Sequence, residues 1–183
     1  MRILIASIGL CCLAHQQPTL SSVTFSAGYA RQKFAPFSNY SAPAIGATYA
    51  YRLRPLLAIE AGVTAAIHLA TEIRRANYDI VLDDYFIWVP FGLRGTLPLK
   101  HDRFELSLAA GGLYGKYYVA NPEPAVGLES RSGWGGYAGG GASMAVDPKR
   151  HFWLGASALE YVSNSKYARD RWFAFTGDMG FRF

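Results

Sequence analysis

Ser163 is the serine considered as a candidate nucleophile, in the segment Glu160-Tyr161-Val162-Ser163-Asn164-Ser165, which is rich in hydroxyl and amide side chains. A serine nucleophile needs an adjacent general base to activate its hydroxyl. The position two residues before Ser163 is occupied by Tyr161, and no histidine is present in the segment. The segment is therefore interpreted as the entry to a loop that is rich in hydrogen-bonding side chains.

The histidines offer no second catalytic centre. His68 lies at one end of the predicted architecture, and His101 and His151 lie at the other. Their spacing matches neither a metal site nor a catalytic triad. Gly139-Gly140-Gly141 is followed by no helix, so it does not read as a phosphate-binding loop. We therefore expect no catalytic residue, no metal and no cofactor, and the chain is not expected to be an enzyme.

Any functional side chain must be positioned by strands, and the clearest strand is the last segment, from Arg171 to Phe183. Alternate residues of a strand point to opposite faces. One face collects Phe173, Phe175, Met179, Phe181 and Phe183, while the other collects Trp172, Thr176, Asp178 and Arg182. The first face suits lipid and the second suits a polar interior.

The composition favours a β-rich chain that faces lipid. Hydrophobic residues make up 51%, aromatic residues 15%, and there are 19 glycines, whereas only 17% of residues are charged. Soluble domains average about 25% charged residues. Charged residues interrupt every run that approaches the roughly 20 apolar residues of a transmembrane helix. The net charge is +5, but the basic residues are scattered along the chain and form no run, so nucleic-acid binding is not expected.

The beginning of the chain is typical of a secretory signal peptide. Arg2 precedes the apolar run from Ile3 to Leu13, and Cys12-Leu13-Ala14 has a small-x-small pattern. We predict a signal peptide and short lead at 1–22, with cleavage near Ala14 or later, near Ser21-Ser22. Cys11 and Cys12 would then be removed, and the barrel domain would be 23–183.

The pattern of the remaining chain predicts strands joined alternately by short and longer connections, which is typical of an up-and-down membrane barrel. Eight strands are predicted, near 20–31, 42–54, 56–68, 80–98, 103–118, 133–147, 151–163 and 171–183. The short connections contain Arg54-Pro55, Leu99–Asp102 and Asp147–Arg150 and are assigned to the periplasm. The longer connections are assigned to the cell exterior, at 32–40, 70–79, 120–132 and 164–170.

The strand alternation places most charged residues in the interior. We predict a structural charge network in the lumen, formed by Glu60, Arg94, Glu105, Asp178 and Arg182, since unpaired charge in a confined interior is costly. A proton or ion path is the alternative interpretation. Lys116 has the parity of the lipid face, so it lies beyond the bilayer or follows a bulge. Aromatic girdles at the interfaces are assigned to Tyr114, Tyr117, Tyr118, Trp134, Trp153 and Tyr161. The register of the seventh strand stays ambiguous.

The final strand resembles the terminal strand of bacterial outer-membrane β-barrels, which typically ends in Phe with apolar residues alternating before it. The chain is similar in pattern to the OmpX-like, OmpA-transmembrane-like and opacity-type group. This resemblance implies an all-β, eight-stranded antiparallel up-and-down transmembrane β-barrel in the cell outer membrane, with both termini periplasmic. Because the chain stops at Phe183, a peptidoglycan-binding domain is not expected. Phe175, Met179, Phe181 and Phe183 correspond to the C-terminal assembly signal of that group.

By this resemblance the function is a structural or adhesion-type role through the exterior loops. Expected partners are outer-membrane lipid, lipopolysaccharide, the barrel assembly machinery and a surface ligand at the loops, with the protein itself a monomer. Two other functions stay open, a narrow pore and a lipid A-modifying enzyme. Ser163-Asn164 resembles part of the His-x-Ser-Asn segment of an outer-membrane deacylase, but Tyr161 replaces the histidine. A soluble lipocalin-like barrel is the alternative fold.

Overall fold

The computed structural model describes residues 21–33, 41–75, 78–99, 103–120, 129–165 and 169–183. Within them the chain forms eight strands: β1 Ser21–Lys33, β2 Ser41–Arg54, β3 Leu57–Arg75, β4 Tyr78–Leu99, β5 Phe104–Val119, β6 Arg131–Ala145, β7 Phe152–Asn164 and β8 Arg169–Arg182. All strand pairs are antiparallel, and β8 pairs with β1, so the sheet closes into a barrel. The predicted eight-stranded antiparallel transmembrane barrel is confirmed.

The closure between β1 and β8 runs along nearly the whole of both strands. Its register extends from Ser22 opposite Arg182 to Lys33 opposite Arg171. The main chain of Ser21 also exchanges two hydrogen bonds with that of Phe183, at 3.1 and 3.0 Å. A closed sheet leaves no row of unpaired N–H and C=O groups, and this is the condition for a β-structure in hydrocarbon.

The strands are inclined to the barrel axis, as their register shows. Paired residues followed once around the barrel from Ser22 return to β1 at Gln32, by way of Ala50, Glu60, Gly92, Gly111, Tyr137, Tyr161 and Trp172. The path therefore climbs along β1 instead of closing on itself. This stagger, with eight strands, gives a tilted barrel whose interior is filled by side chains.

Alternation divides every strand into an inner and an outer face. Large apolar side chains of the outer face are exposed, for example Phe25 on β1, Ile45 on β2, Leu108 on β5 and Phe175 on β8. The ambiguity in β7 is resolved, because Trp153 and Tyr161 are buried while Leu154 is exposed. The odd-numbered residues of β7 therefore face the interior.

Three of the six residues assigned to aromatic girdles were placed wrongly. Tyr117, Trp153 and Tyr161 are buried inside the barrel, with at most 5% of their surface exposed. Their strand parity places them on the inner face, and aromatic residue type alone does not distinguish a girdle from a packed lumen. Trp134 and Tyr118 are exposed on the outer face, at 66% and 39%.

The hairpin of β3 and β4 is longer than predicted. The predicted loop at 70–79 is mostly strand, since the ladder continues from Thr71 opposite Leu82 to Arg75 opposite Tyr78, after a register shift between His68 and Thr71. Continued backbone pairing extends both strands past the barrel wall. We call this the hairpin end of the barrel, and the opposite end, with the connections after β2, β4 and β6, the turn end.

Several sequence predictions concern residues outside the described part of the chain. Residues 34–40, 121–128 and 166–168 of the predicted exterior loops, and 100–102 of a predicted turn, lie outside it. The predicted signal peptide and lead also lie outside it, except Ser21 and Ser22, which begin β1. Among the residues that the structure describes, no helix is long and apolar enough to cross a membrane.

Candidate functional site

A layer of buried aromatic side chains fills the interior near the hairpin end. We define this aromatic layer as Phe86, Trp88, Tyr117, Tyr161 and Trp172, none of which is more than 4% exposed. They project from β4, β5, β7 and β8. The facing inner positions of β1, β2 and β3 are small, being Ala30, Ala42, Ala44 and Ala66, and they belong to the same buried cluster. Small residues on one wall thus make room for large rings from the other.

The rings of the aromatic layer contact one another across the lumen. Phe86 lies 4.3 Å from Tyr117 and 4.5 Å from Trp172, measured between ring centroids. Trp88 lies 5.0 Å from Tyr161 and 5.4 Å from Trp172. These separations are typical of favourable stacked and edge-to-face pairs. Because all eight strands contribute to the cluster that contains the rings, the layer closes the lumen.

An ionic cluster follows the aromatic layer toward the turn end. Arg94 Nε lies 2.6 Å from Glu60 Oε2. The two atoms form an ion pair, but neither of them makes a hydrogen bond. The other oxygen of Glu60 accepts a 2.7 Å hydrogen bond from Tyr137 Oη. Glu60 is thus held between the Arg94 guanidinium of the neighbouring strand β4 and the Tyr137 phenol of β6.

A second ion pair lies closer to the turn end. Arg182 donates a 2.8 Å hydrogen bond to Glu105 Oε1. The same guanidinium stacks on Trp153, with Cζ 3.9 Å from the ring centroid. Asp178 accepts a 2.9 Å hydrogen bond from the Thr176 hydroxyl. A cation over an aromatic face is stabilising, more so where water is excluded.

All five residues of the predicted charge network therefore face the interior. Arg94 meets Glu60, and Arg182 meets Glu105, while Asp178 is bonded to a hydroxyl and joins neither pair. The role of these residues as a stabilising network is a proposal. The four predicted assembly-signal residues point the other way, with Phe175, Met179, Phe181 and Phe183 all on the outer face and 47–59% exposed.

A small polar cavity lies among these charges. Its volume is about 80 Å³, and hydroxyl-bearing residues line much of its wall, among them Ser22, Thr24, Ser26, Thr48, Ser107, Ser143 and Ser157. Arg94, Glu105, Asp178 and Arg182 complete the polar part of the lining. The cavity is large and polar enough for several water molecules. It lies on the turn side of the aromatic layer, so it does not join the two ends of the barrel.

The lumen ends toward the hairpin end in an ion pair that sequence reasoning missed. Arg131 donates two hydrogen bonds to the buried Asp170, at 2.9 and 2.7 Å, and lies over Tyr117 with Cζ 4.4 Å from the ring centroid. Gln32 adds a 3.3 Å bond to the same carboxylate. The sequence pattern predicts loops at both charged residues, within 120–132 and 164–170. Continuing the inward parity of Trp172 by two residues would have placed Asp170 inside.

Ser163 shows no geometry of an activated nucleophile among the described residues. It is buried on the inner face and packs against the backbone of Gly115. Tyr161, at the position where a base would be needed, shares a 3.2 Å hydrogen bond with Thr64. The described residues contain no cluster of three or more His, Cys, Asp or Glu side chains that suits a metal.

Several solved outer-membrane barrels have the same fold as this chain. The chain aligns with Ail, the attachment invasion locus protein of Yersinia pestis, with a TM-score of 0.61, 15% identity, 89% of this chain and 97% of Ail covered. Neisserial surface protein A gives a TM-score of 0.68 and 14% identity, with 89% and 97% covered. The N-terminal β-barrel domain of Pseudomonas aeruginosa OprF gives 0.53 and 15%, with 88% and 97% covered.

These likenesses establish the fold of the eight-stranded outer-membrane barrels, the group that the terminal strand resembles. At such identities they establish the fold alone. No family model matches the chain, and no curated protein matches it significantly.

Proposed function

We propose that this protein is an integral outer-membrane barrel with a structural or surface-interaction role, and that the segments at the hairpin end carry out the interaction. The observation that supports this most is the closed lumen. The aromatic layer, with Trp88 and Trp172 no more than 1% exposed, fills the lumen at its level, and this supports a role other than solute passage. A contact function is then assigned to the surface, where the β3–β4 hairpin is the longest element.

The membrane assignment rests on the outer face. Apolar side chains are exposed on it from every strand, and a soluble barrel would bury such residues or replace them with polar ones. A lipocalin-like barrel in water is disfavoured by the same observation. Insertion of this face into a lipid bilayer removes the apolar surface from water, which is the main favourable term for such a barrel.

In the proposed orientation both termini and the turn end lie in the periplasm. The hairpin end then faces the cell exterior, in contact with lipopolysaccharide. A single chain pairs all eight strands without a free edge, so we propose a monomer. The outward residues Phe175, Met179, Phe181 and Phe183 form a regular apolar row, a pattern suited to recognition by the barrel assembly machinery.

The two alternative functions are less well supported. A narrow pore would need a continuous polar path, whereas the rings of Phe86, Trp88 and Trp172 are in mutual contact. A lipid A-modifying enzyme would need an activated group on the outer surface, whereas Ser163 faces the interior.

To test this proposal, the protein is displayed on bacteria, and the adhesion of the cells to immobilised heparin is measured. Ail has been solved in complex with the heparin analogue sucrose octasulfate, which makes a sulfated glycan the first probe. The test variant replaces residues 72–81 with Asn-Gly, a two-residue turn that joins Thr71 to its partner Leu82. The control variant, Arg54→Gln, removes a charge at the turn end.

Wild-type and control cells should adhere above the vector background, and the hairpin variant should lose that adhesion while keeping its folded gel mobility. If all three strains adhere only at the vector background while each protein is folded in the membrane, the proposed role in binding a sulfated glycan is overturned. Equal adhesion well above background would exclude the hairpin as the contact element.

A further inference from the structure

The outer surface of β4 and β5 carries two aromatic rows with a lysine between them. Successive outward pairs on this ladder are Phe91 with Gly112, Val89 with Tyr114, Ile87 with Lys116, and Tyr85 with Tyr118. Neighbouring outward pairs are about 7 Å apart along a strand. The register is unbroken over this stretch, so no bulge precedes Lys116 and it faces outward. The chemistry of this surface therefore changes stepwise toward the hairpin end.

The lower aromatic row has the character of a membrane interface. Trp134 packs edge-on against Tyr114 and Phe91, with centroid distances of 5.2 and 6.3 Å. Phe91 also covers Gly112, where an added Cβ would lie 2.4 Å from the Phe ring. Trp and Tyr prefer the level of the lipid headgroups. This row therefore marks the upper boundary of the apolar band.

The upper row lies beyond that boundary. Tyr85 and Tyr118 are a directly opposed cross-strand pair whose rings stack at 4.9 Å with an interplanar angle of 22°. Tyr118 is 39% exposed. Near-parallel stacking orients the two rings relative to each other, and the exposed part of Tyr118 is open to a ligand. A rigid aromatic plane of this kind suits contact with the C–H face of a sugar ring.

Two charged residues flank the tyrosine pair. Lys116 is exposed on the membrane side of it, and Asp83 is exposed on the side toward the hairpin tip. The backbone carbonyl of Asp83 is fixed by a 3.0 Å hydrogen bond from the amide of Ala120. A lysine binds phosphate, and a carboxylate accepts hydrogen bonds from hydroxyl groups.

We propose that Lys116, Tyr85, Tyr118 and Asp83 form a binding site for lipopolysaccharide in the exterior leaflet, with Lys116 at a phosphate of its lipid A part and the tyrosine pair and Asp83 at its core sugars. From the apolar band outward, the surface presents apolar groups, a cation, an aromatic plane and a carboxylate. A glycolipid of that leaflet presents acyl chains, phosphate, sugar rings and hydroxyl groups in the same order. The inference rests on the proposed membrane orientation, but not on the proposed role of the hairpin in adhesion.

The test measures the affinity of the full chain in phospholipid nanodiscs for two purified glycolipids. One is lipopolysaccharide that carries the core sugars, and the other is lipid A, which lacks them. The variants are Tyr85→Ala with Tyr118→Ala, and Lys116→Gln. Tyr51→Ala is the matched control, because Tyr51 is an outward tyrosine with the same 39% exposure near the turn end. Heat-modifiable gel mobility verifies that each variant is folded.

The double tyrosine variant should raise the Kd for core-bearing lipopolysaccharide by about fivefold, the scale of one aromatic contact, and leave the Kd for lipid A unchanged. Lys116→Gln should weaken binding of both glycolipids, and Tyr51→Ala should weaken neither. If the tyrosine variant loses affinity equally for both glycolipids, the pair is a general interfacial anchor and the sugar site is overturned. No change in any variant would overturn it as well.

Failure of this site is distinguishable from failure of the proposed function. A wild-type chain that does not insert into nanodiscs overturns both. Unchanged glycolipid affinity together with hairpin-dependent adhesion to heparin overturns only the lipopolysaccharide site.

Discussion

The indole of Trp88 lies parallel to the phenol ring of Tyr161, with centroids 5.0 Å apart and an interplanar angle of 6°. Trp88 projects from β4 and Tyr161 from β7, so this stack joins two strands that are not neighbours in the sheet. Tyr161 is further tied to β3 through the hydroxyl of Thr64. At this level the lumen is thus filled by packed side chains.

Removal of two indoles from the aromatic layer should open the lumen. We expect wild-type protein in planar bilayers to show no conductance above the lipid background, and Trp88→Ala with Trp172→Ala to show ion currents. Trp134→Ala, which removes an exposed outward indole, is the control and should stay silent. Currents through the wild-type protein would contradict the closed lumen.

Loss of the Glu60 carboxylate should destabilise the barrel. Glu60→Ala leaves the Arg94 charge and the Tyr137 hydroxyl facing inward without their acceptor. We expect a loss of about 2 kcal/mol in the free energy of unfolding, less than for a fully buried pair because Arg94 is 26% exposed. Urea titration of refolded protein measures it. The double change Glu60→Met with Arg94→Met should cost clearly less, and an additive cost would argue against coupling of the pair.

The β1–β8 closure should tolerate a methyl group at one glycine and not at the other. A Cβ at Gly28 would lie 2.0 Å from the carbonyl oxygen of Phe175, whereas a Cβ at Gly177 would be 3.8 Å from its nearest neighbour. Gly28→Ala should therefore lower stability by about 2 kcal/mol, typical of overpacking. Gly177→Ala should change stability by less than about 0.5 kcal/mol. Unfolding in urea compares them, and equal stability would contradict close backbone contact at Gly28.

The turn between β6 and β7 should show a small pH dependence. The backbone N–H of Phe152 donates a 2.7 Å hydrogen bond to Asp147 Oδ1, and this bond holds the pKa of Asp147 below its ordinary value. A carboxyl with a depressed folded-state pKa contributes stability above the unfolded-state pKa, and the contribution is lost as pH falls through the folded-state pKa. At neutral pH the wild-type protein should unfold at a higher urea concentration than the Asp147→Ala variant. The difference should narrow below about pH 4, and a constant difference would contradict a charge-dependent bond.

The alternation of apolar and polar residues was sufficient to predict the closed sheet, because each strand must present apolar side chains to lipid on one face. It was insufficient where both faces are apolar or aromatic. Phe152 and Leu154 oppose Trp153 and Tyr161 in β7, so hydropathy could not choose the inner face. Packing decides this, since Tyr161 stacks on Trp88 and Trp153 lies under the Arg182 guanidinium, both inside the barrel.

The end of the lumen near Asp170 was missed for a different reason. Polar residues there were interpreted as loop, yet Arg131 and Asp170 satisfy each other inside the barrel. Similarly, the hairpin from Thr71 to Leu82 is polar enough to read as a loop, but backbone pairing continues through it. Such pairings depend on residues distant in sequence, which single-strand periodicity does not report.

The central claim is that the chain closes into a membrane-embedded barrel, and heat-modifiability tests it most directly. Protein recovered from isolated outer membranes is run on SDS gels with and without boiling. We expect recovery in the membrane fraction and a faster-migrating unboiled band that shifts on boiling to the mobility of the 20.1 kDa unfolded chain or its processed form. Recovery in the soluble fraction, with the same mobility before and after boiling, would contradict it.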